Sequence, residues 1–297
     1  MPASNERFLK PELLAQLSTM EFRVRTVVEG IMSGLHRSPF KGLSSEFAEY
    51  REYQPGDEPS RIDWNVYART DKYYIKLFEE ETNLNAHIIL DASASMGFGT
   101  GALTKWEYAG ILSASLAYIL QQQDDAIGLV ILDEEIRFES ETKATRGHLI
   151  HTIGAMENTK PQRRTRLADV LHQVAAKIKR RGVILIVSDL LDDPSDVLSA
   201  LEHLQHSGNQ VHVFHVLDPA ELNFDFDGPH LFIDPETNQQ TLAMPQVVQA
   251  DYLKALQEFL DHYKNELGKR NIWYALVNTS APLDEPLFSF FMRNMLV

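Results

Sequence analysis

The chain has 297 residues, 44% hydrophobic and 24% charged, and no cysteine. That composition supports a large globular core and excludes disulfides, thiolate catalysis and cysteine-based zinc sites. Acidic residues number 42 against 28 basic ones, so the formal charge of −14 argues against nucleic acid or anionic lipid as a partner. The N-terminus, Met1 to Arg7, has no signal-peptide apolar core, and no apolar run reaches the roughly 18–20 residues of a membrane span. A cytoplasmic protein is expected.

Taken in chain order, Leu13 to Met32 reads as helical. From Gly42 to Glu81 the pattern is irregular, with a turn signal at Pro55-Gly56-Asp57 and a strand at Tyr73 to Phe78. Residues 1–85 are therefore expected to form an N-terminal helical and irregular extension packed on a domain of residues 86–297. That domain alternates strands and helices. His87 to Asp91 is a short apolar strand ending in a carboxylate, followed by a glycine-rich turn, Met96 to Gly101. Thr104-Lys-Trp-Glu107 is a capping box opening a helix to about Gln122. Ala126 to Leu132 and Ile136 to Ser140 read as strands, and Arg146 to Met156 as a short helix. Leu167, Val170, Leu171, Val174 and Ile178 fall at helical spacing before Gly182. The basic cluster Lys177 to Arg181 lies at that helix end, where cations offset the dipole.

Val183 to Val187 is a strand buried on both faces, and Asp193-Pro194 supplies an N-cap and first-turn proline for the next helix. Val211 to Val216 is a strand, Tyr252 to Leu267 marks a long helix, Ile272 to Val277 is the last strand, and a short helix starts at about Asp284. Residues of about 229–244 read as a hairpin inserted before the long helix. The whole predicts an α/β fold: a doubly wound, mostly parallel sheet with helices on both faces.

Asp91, Ser93 and Ser95 directly follow one buried strand, Asp189 follows another, and Thr165 precedes a helix. In an open α/β sheet ligands bind beyond the carboxyl ends of the strands, so three loops can meet at one edge. Two carboxylates and three hydroxyls are hard oxygen donors suited to one divalent cation, with magnesium expected and manganese or calcium as alternatives. The competing account is a strand-end Asp capping a turn, with the serines satisfying backbone groups.

At these residues the chain resembles von Willebrand factor A domains, whose metal-ion-dependent adhesion site combines Asp-x-Ser-x-Ser, a later Thr and a strand-end Asp. The resemblance implies a metal site at Asp91, Ser93, Ser95, Thr165 and Asp189. Two positions depart from the pattern: Leu190 stands where glycine often follows the Asp, and Arg163-Arg164 where glycine often precedes the Thr. Upstream, Glu46-Phe47, Arg51-Glu-Tyr53, Pro55-Gly56-Asp57, Arg61-Ile-Asp63-Trp64 and Ala68-Arg69 resemble the signature of the domain-of-unknown-function fifty-eight family. Members of that family are von Willebrand A-like and are commonly encoded beside MoxR-type AAA+ ATPases, which implies such an ATPase as partner. The alternating charges of Arg51, Asp57, Arg61, Asp63 and Arg69, beside Trp64, suit either a structural clasp or part of a docking face.

No Gly-x-Ser-x-Gly elbow or Walker phosphate loop is present, and Gly97 to Gly101 is an incomplete dinucleotide fingerprint. His203, His206, His212 and His215 are expected to be surface or satisfied histidines rather than a zinc site. A metal-ion-dependent protein-binding module is thus the leading expectation, acting as adaptor or co-chaperone in protein complex maturation. A divalent-metal-dependent hydrolase using the same crevice and a metal-free scaffold are the alternatives.

Overall fold

Runs of β-branched and leucine residues too apolar for an exposed strand need cover on both faces, and helices supply it. The computed structural model describes residues 11–15, 19–35, 50–52, 67, 72–76 and 84–294. The chain divides into two units, Leu35–Asn83 and Met1–Gly34 with Leu84–Val297. In the smaller unit, β1 (Tyr50–Glu52) pairs antiparallel with β2 (Tyr74–Lys76), and the rings of Tyr67 and Tyr73 stack at 4.5 Å. Arg51 lies on β1. Asp57, Arg61, Asp63, Trp64 and Arg69 lie outside the described residues.

The larger unit opens with helices α1 (Pro11–Leu14) and α2 (Met20–Leu35). Its strands are β3 (Asn85–Asp91), β4 (Ala126–Leu132), β5 (Ile136–Glu139), β6 (Val183–Ser188), β7 (Gln210–Leu217) and β10 (Trp273–Asn278). They form one sheet in the order β10-β7-β6-β3-β4-β5, parallel throughout except for β5 at the edge. From β3 the chain crosses to β4 on one side; from β6 it crosses to β7 on the other. β3 and β6 are neighbours, so the winding reverses between them and opens a crevice at their carboxyl ends.

The helices are α3 (Lys105–Gln122), α4 (Arg146–Asn158), α5 (Leu167–Lys177), α6 (Pro194–His206), α7 (Pro219–Asn223), α8 (Pro245–Lys269) and α9 (Asp284–Asn294). On one face Ile89, Val130, Ile184, Ile186 and Val213 pack against the apolar stripes of α5 and α6 and against Tyr263 and Leu267 of α8. Strand side chains alternate, so Ile88, Leu90, Leu129, Leu185 and Val187 supply the opposite face, also fully buried. Phe214, Trp273 and Phe290 close the β10 end of the sheet through ring contacts of 5.1–6.1 Å. α2 belongs to this unit: Met20 N–H donates to the Glu157 carboxylate at 3.3 Å. Gly110 of α3 makes room for it, since a Cβ there would stand 3.0 Å from Met20 Cε. The inserted hairpin is β8 (His230–Ile233) paired antiparallel with β9 (Gln240–Ala243).

Candidate functional site

The crevice is assembled from three loops, each pinned by its own hydrogen bonds. Asp91 ends β3 and is 1% exposed. Its Oδ1 accepts from Ser93 N–H at 2.9 Å, an Asx turn that folds the loop back over the strand end. The turn brings Ser93 Oγ within 3.0 Å of Ser95 Oγ, and both serines are buried. The residues after Ser93 form a short 3-10 turn, Ala94–Gly97.

Ser188, the last residue of β6, couples this loop to the next. Its Oγ–H donates to Asp91 Oδ2 at 2.6 Å and accepts from Leu190 N–H at 2.9 Å. Asp189 follows at 1% exposure. Leu190 has φ +54, in the left-handed region where glycine is favoured, which gives the glycine preference at this position a physical reason. Here the wholly buried leucine side chain anchors the strained backbone in the core.

The Thr165 loop runs beside the Asp91 loop. Gln162 N–H donates to Ala92 O and Ala94 N–H to Arg163 O, both at 2.9 Å. Arg163, with φ +65, turns its guanidinium to Glu134 and Glu135. Arg164 Nε–H donates to the backbone oxygen of Glu236 at 3.2 Å. Both cations are therefore engaged with other groups. Thr165 N–H donates to Glu236 Oε2 at 3.1 Å, so the hairpin turn is part of the crevice wall.

Lys105, read from the sequence only as part of a capping box, reaches into the crevice. Its side chain is 0% exposed, and Nζ stands 2.8 Å from Asp189 Oδ2 and 2.7 Å from Glu221 Oε1. Thr104 sets the helix start with the expected reciprocal box to Glu107, which fixes Lys105 at the first turn. Glu221 Oε2 in turn accepts from Asp218 N–H at 2.8 Å, and Asp218 also accepts from Thr100 and Thr279. This chain ties the glycine-rich loop, α3 and α7 together.

Burial and then the Asp189 charge push the Asp91 carboxyl up to about 7, against the bonds from Ser188 and Ser93. Burial disfavours the Lys105 ammonium, but the Asp189 and Glu221 charges outweigh it and raise its pKa. Burial, reinforced by the Asp189 charge, raises Glu236. His215 on β7 is wholly buried, bonds Tyr274 Oη through Nδ1 at 2.8 Å, and is lowered to about 4 by burial. It is a neutral core histidine beside the crevice.

A hard divalent cation suits this chemistry. The Asp189 charge acts on the carboxylates of Asp91, Glu221 and Glu236, and the Lys105 ammonium is bonded to Asp189 and Glu221. Glu236 Oε1 is buried without a hydrogen-bond partner, an acceptor that a cation or its water would satisfy. Among the described residues no group of three or more His, Asp or Glu stands at metal-holding geometry, so a donor set here depends on the hydroxyls of Ser93, Ser95 and Thr165. Sequence reasoning named those hydroxyls and the two aspartates. It missed Ser188, Lys105, Glu221 and Glu236, which no motif marks because their roles follow from tertiary approach.

Beside the crevice is a groove of about 630 Å³ whose walls include Ser95, Phe98, Glu221, Phe224, Phe232 and Tyr252. Phe224 stacks on Tyr252 at 4.1 Å and on Phe232 at 5.4 Å. Ser95 and Glu221 line both this groove and the crevice region.

Residues 49–258 match a family described as "Protein of unknown function DUF58". Uncharacterized protein Rv1480 of Mycobacterium tuberculosis is 28% identical over 230 residues, covering 76% of this chain and 72% of its own. Uncharacterized protein Mb1516 of Mycobacterium bovis shows the same identity and coverage. Among solved structures, the conserved hypothetical protein BatB from Bacteroides thetaiotaomicron aligns at 14% identity and a TM-score of 0.46, over 72% of this chain and 98% of that one. The SpRpn10 VWA domain aligns at 15% identity and a TM-score of 0.35, over 46% of this chain and 76% of its own. Among the described residues no helix is long and apolar enough to cross a membrane.

Proposed function

Because this chain belongs to the DUF58 family and has a von Willebrand factor A-like fold, we propose that it is a metal-ion-dependent protein-binding module. The carrying observation is the pairing of Ser93 Oγ with Ser95 Oγ at 3.0 Å beside Asp91, within reach of the Asp189 charge at the winding reversal. In this reading Asp91, Ser93, Ser95, Thr165 and Asp189 hold one divalent cation, magnesium by preference for hard oxygen. When bound, the ion supplies a positive point at the sheet edge that attracts a carboxylate from a protein partner. The adjoining aromatic groove offers an apolar wall for the residues flanking that carboxylate. A MoxR-type AAA+ ATPase is the partner the family resemblance favours, with this chain as adaptor or co-chaperone in complex maturation in the cytoplasm.

Two measurements test the proposal. Calorimetric titration with MgCl₂ should show one saturable site that Asp91→Ala abolishes. Capture of the chain by the purified ATPase should need Mg²⁺, reverse with EDTA and fail for Asp91→Ala. Binding indifferent to both EDTA and Asp91→Ala overturns metal-dependent recruitment.

A further inference from the structure

Lys105 is the feature of the crevice that the proposed cation site does not absorb. A fully buried ammonium is rare unless paired, and this one is paired to a carboxylate that the proposal assigns to the metal. Its second partner, Glu221, belongs to α7 and lines the aromatic groove. The centroid of the Phe98 ring lies 6.0 Å from Nζ. The ammonium is thus held between Asp189 and Glu221 with little room for water.

We infer that Lys105 is the internal counter-cation of the crevice, competing with a divalent ion for Asp189 and thereby setting how tightly that ion binds. This rests on the cation reading above. The physics is charge balance in a poorly solvated space. Asp91 and Asp189 repel each other, and either a proton on Asp91 or a nearby positive group relieves that repulsion. Lys105 does so for Asp189 from inside the fold, leaving Asp91 to the hydrogen bonds of Ser188 and Ser93. A divalent ion arriving beside Asp189 meets a resident positive charge, and the two repel at short range. The gain from ion binding is reduced accordingly. Glu221 opposes this, because each share of the ammonium it takes frees Asp189.

The roles assign opposite signs to two substitutions. Lys105→Met removes the competing charge and keeps an unbranched side chain in the space. Divalent affinity should rise at least tenfold, while the cation-free protein should melt at a lower temperature because Asp189 and Glu221 lose their partner. Glu221→Gln, which retains an acceptor for Asp218 N–H, leaves the ammonium to Asp189. Divalent affinity should fall at least threefold. A purely structural clasp predicts weaker binding for both, since each would loosen Asp189.

The experiment is calorimetric titration of the full chain and both variants with MnCl₂, with circular dichroism melting in EDTA and in excess Mn²⁺. Tighter binding by Lys105→Met with weaker binding by Glu221→Gln supports the inference. If the wild type binds Mn²⁺ and Lys105→Met binds it equally or less well, the inference is overturned and the cation reading stands. If neither binds, the cation reading falls and takes the inference with it. If Lys105→Met fails to fold even with Mn²⁺, the Glu221→Gln titration decides, and unchanged or tighter binding there overturns the inference.

Discussion

Asp91, proposed above as a cation ligand, carries a cost to stability. Its carboxyl is buried beside Asp189 and raised from an ordinary value of 3.8 to about 7. Between those values the folded chain holds the proton more than the unfolded chain does, so this group's contribution to cation-free stability falls as pH rises. Asp91→Asn removes that dependence. In EDTA at pH 8 the variant should be more stable than the wild type by about 1–3 kcal/mol, after allowance for weaker bonds to Ser188 and Ser93. At pH 4 the advantage should vanish. Urea unfolding of both proteins across pH 4–8 measures the difference, which cancels opposing groups such as His215. A variant less stable than the wild type at pH 8 would contradict the buried-charge account. Leu190 carries a different compromise. Its φ of +54 favours glycine, yet Leu190→Gly empties a fully buried site. Relief of backbone strain is worth about 1 kcal/mol, while losing a core leucine costs more. Net destabilisation of about 2–4 kcal/mol is expected in denaturant unfolding, and a more stable variant would show that the strain dominates.

At the scale of elements, the inserted hairpin is part of the crevice rather than an appendage. Its turn places Glu236 against Thr165 N–H, and Arg164 holds the backbone oxygen of the same residue. The unpartnered Glu236 Oε1 is buried near the Asp189 charge. Such a carboxylate suits contact with a cation through one of its retained waters. Glu236→Gln keeps an acceptor for Thr165 N–H but loses the charge. Divalent affinity should weaken about tenfold, the usual scale for outer-shell partners, while the cation-free melting temperature stays level or rises. Manganese titration by calorimetry checks it, and an unchanged affinity would remove the hairpin from the site.

Across the whole molecule, local signals and long-range approach divide cleanly. Buried strands such as Val183–Ser188, the capping box at Thr104, the Asp193-Pro194 helix start and the hairpin all follow from nearest-neighbour chemistry, and each is observed where the periodicity places it. The expected single helix from Leu13 to Met32 is instead the pair Pro11–Leu14 and Met20–Leu35. The hydroxyl and carboxylate motif was legible for the same local reason, because an Asx turn needs only residues two apart. Strand order, the reversal between β3 and β6, and the partners of Asp189 were decided by the tertiary structure. Lys105 lies 84 positions from Asp189 and 116 from Glu221, and no periodicity links residues at such separations. The amino-acid sequence by itself determined most of the elements and marked the candidate oxygen donors, because those depend on short stretches of chain. Only the packed sheet decided which charges face one another, because burial at the strand ends brings distant loops into one poorly solvated space.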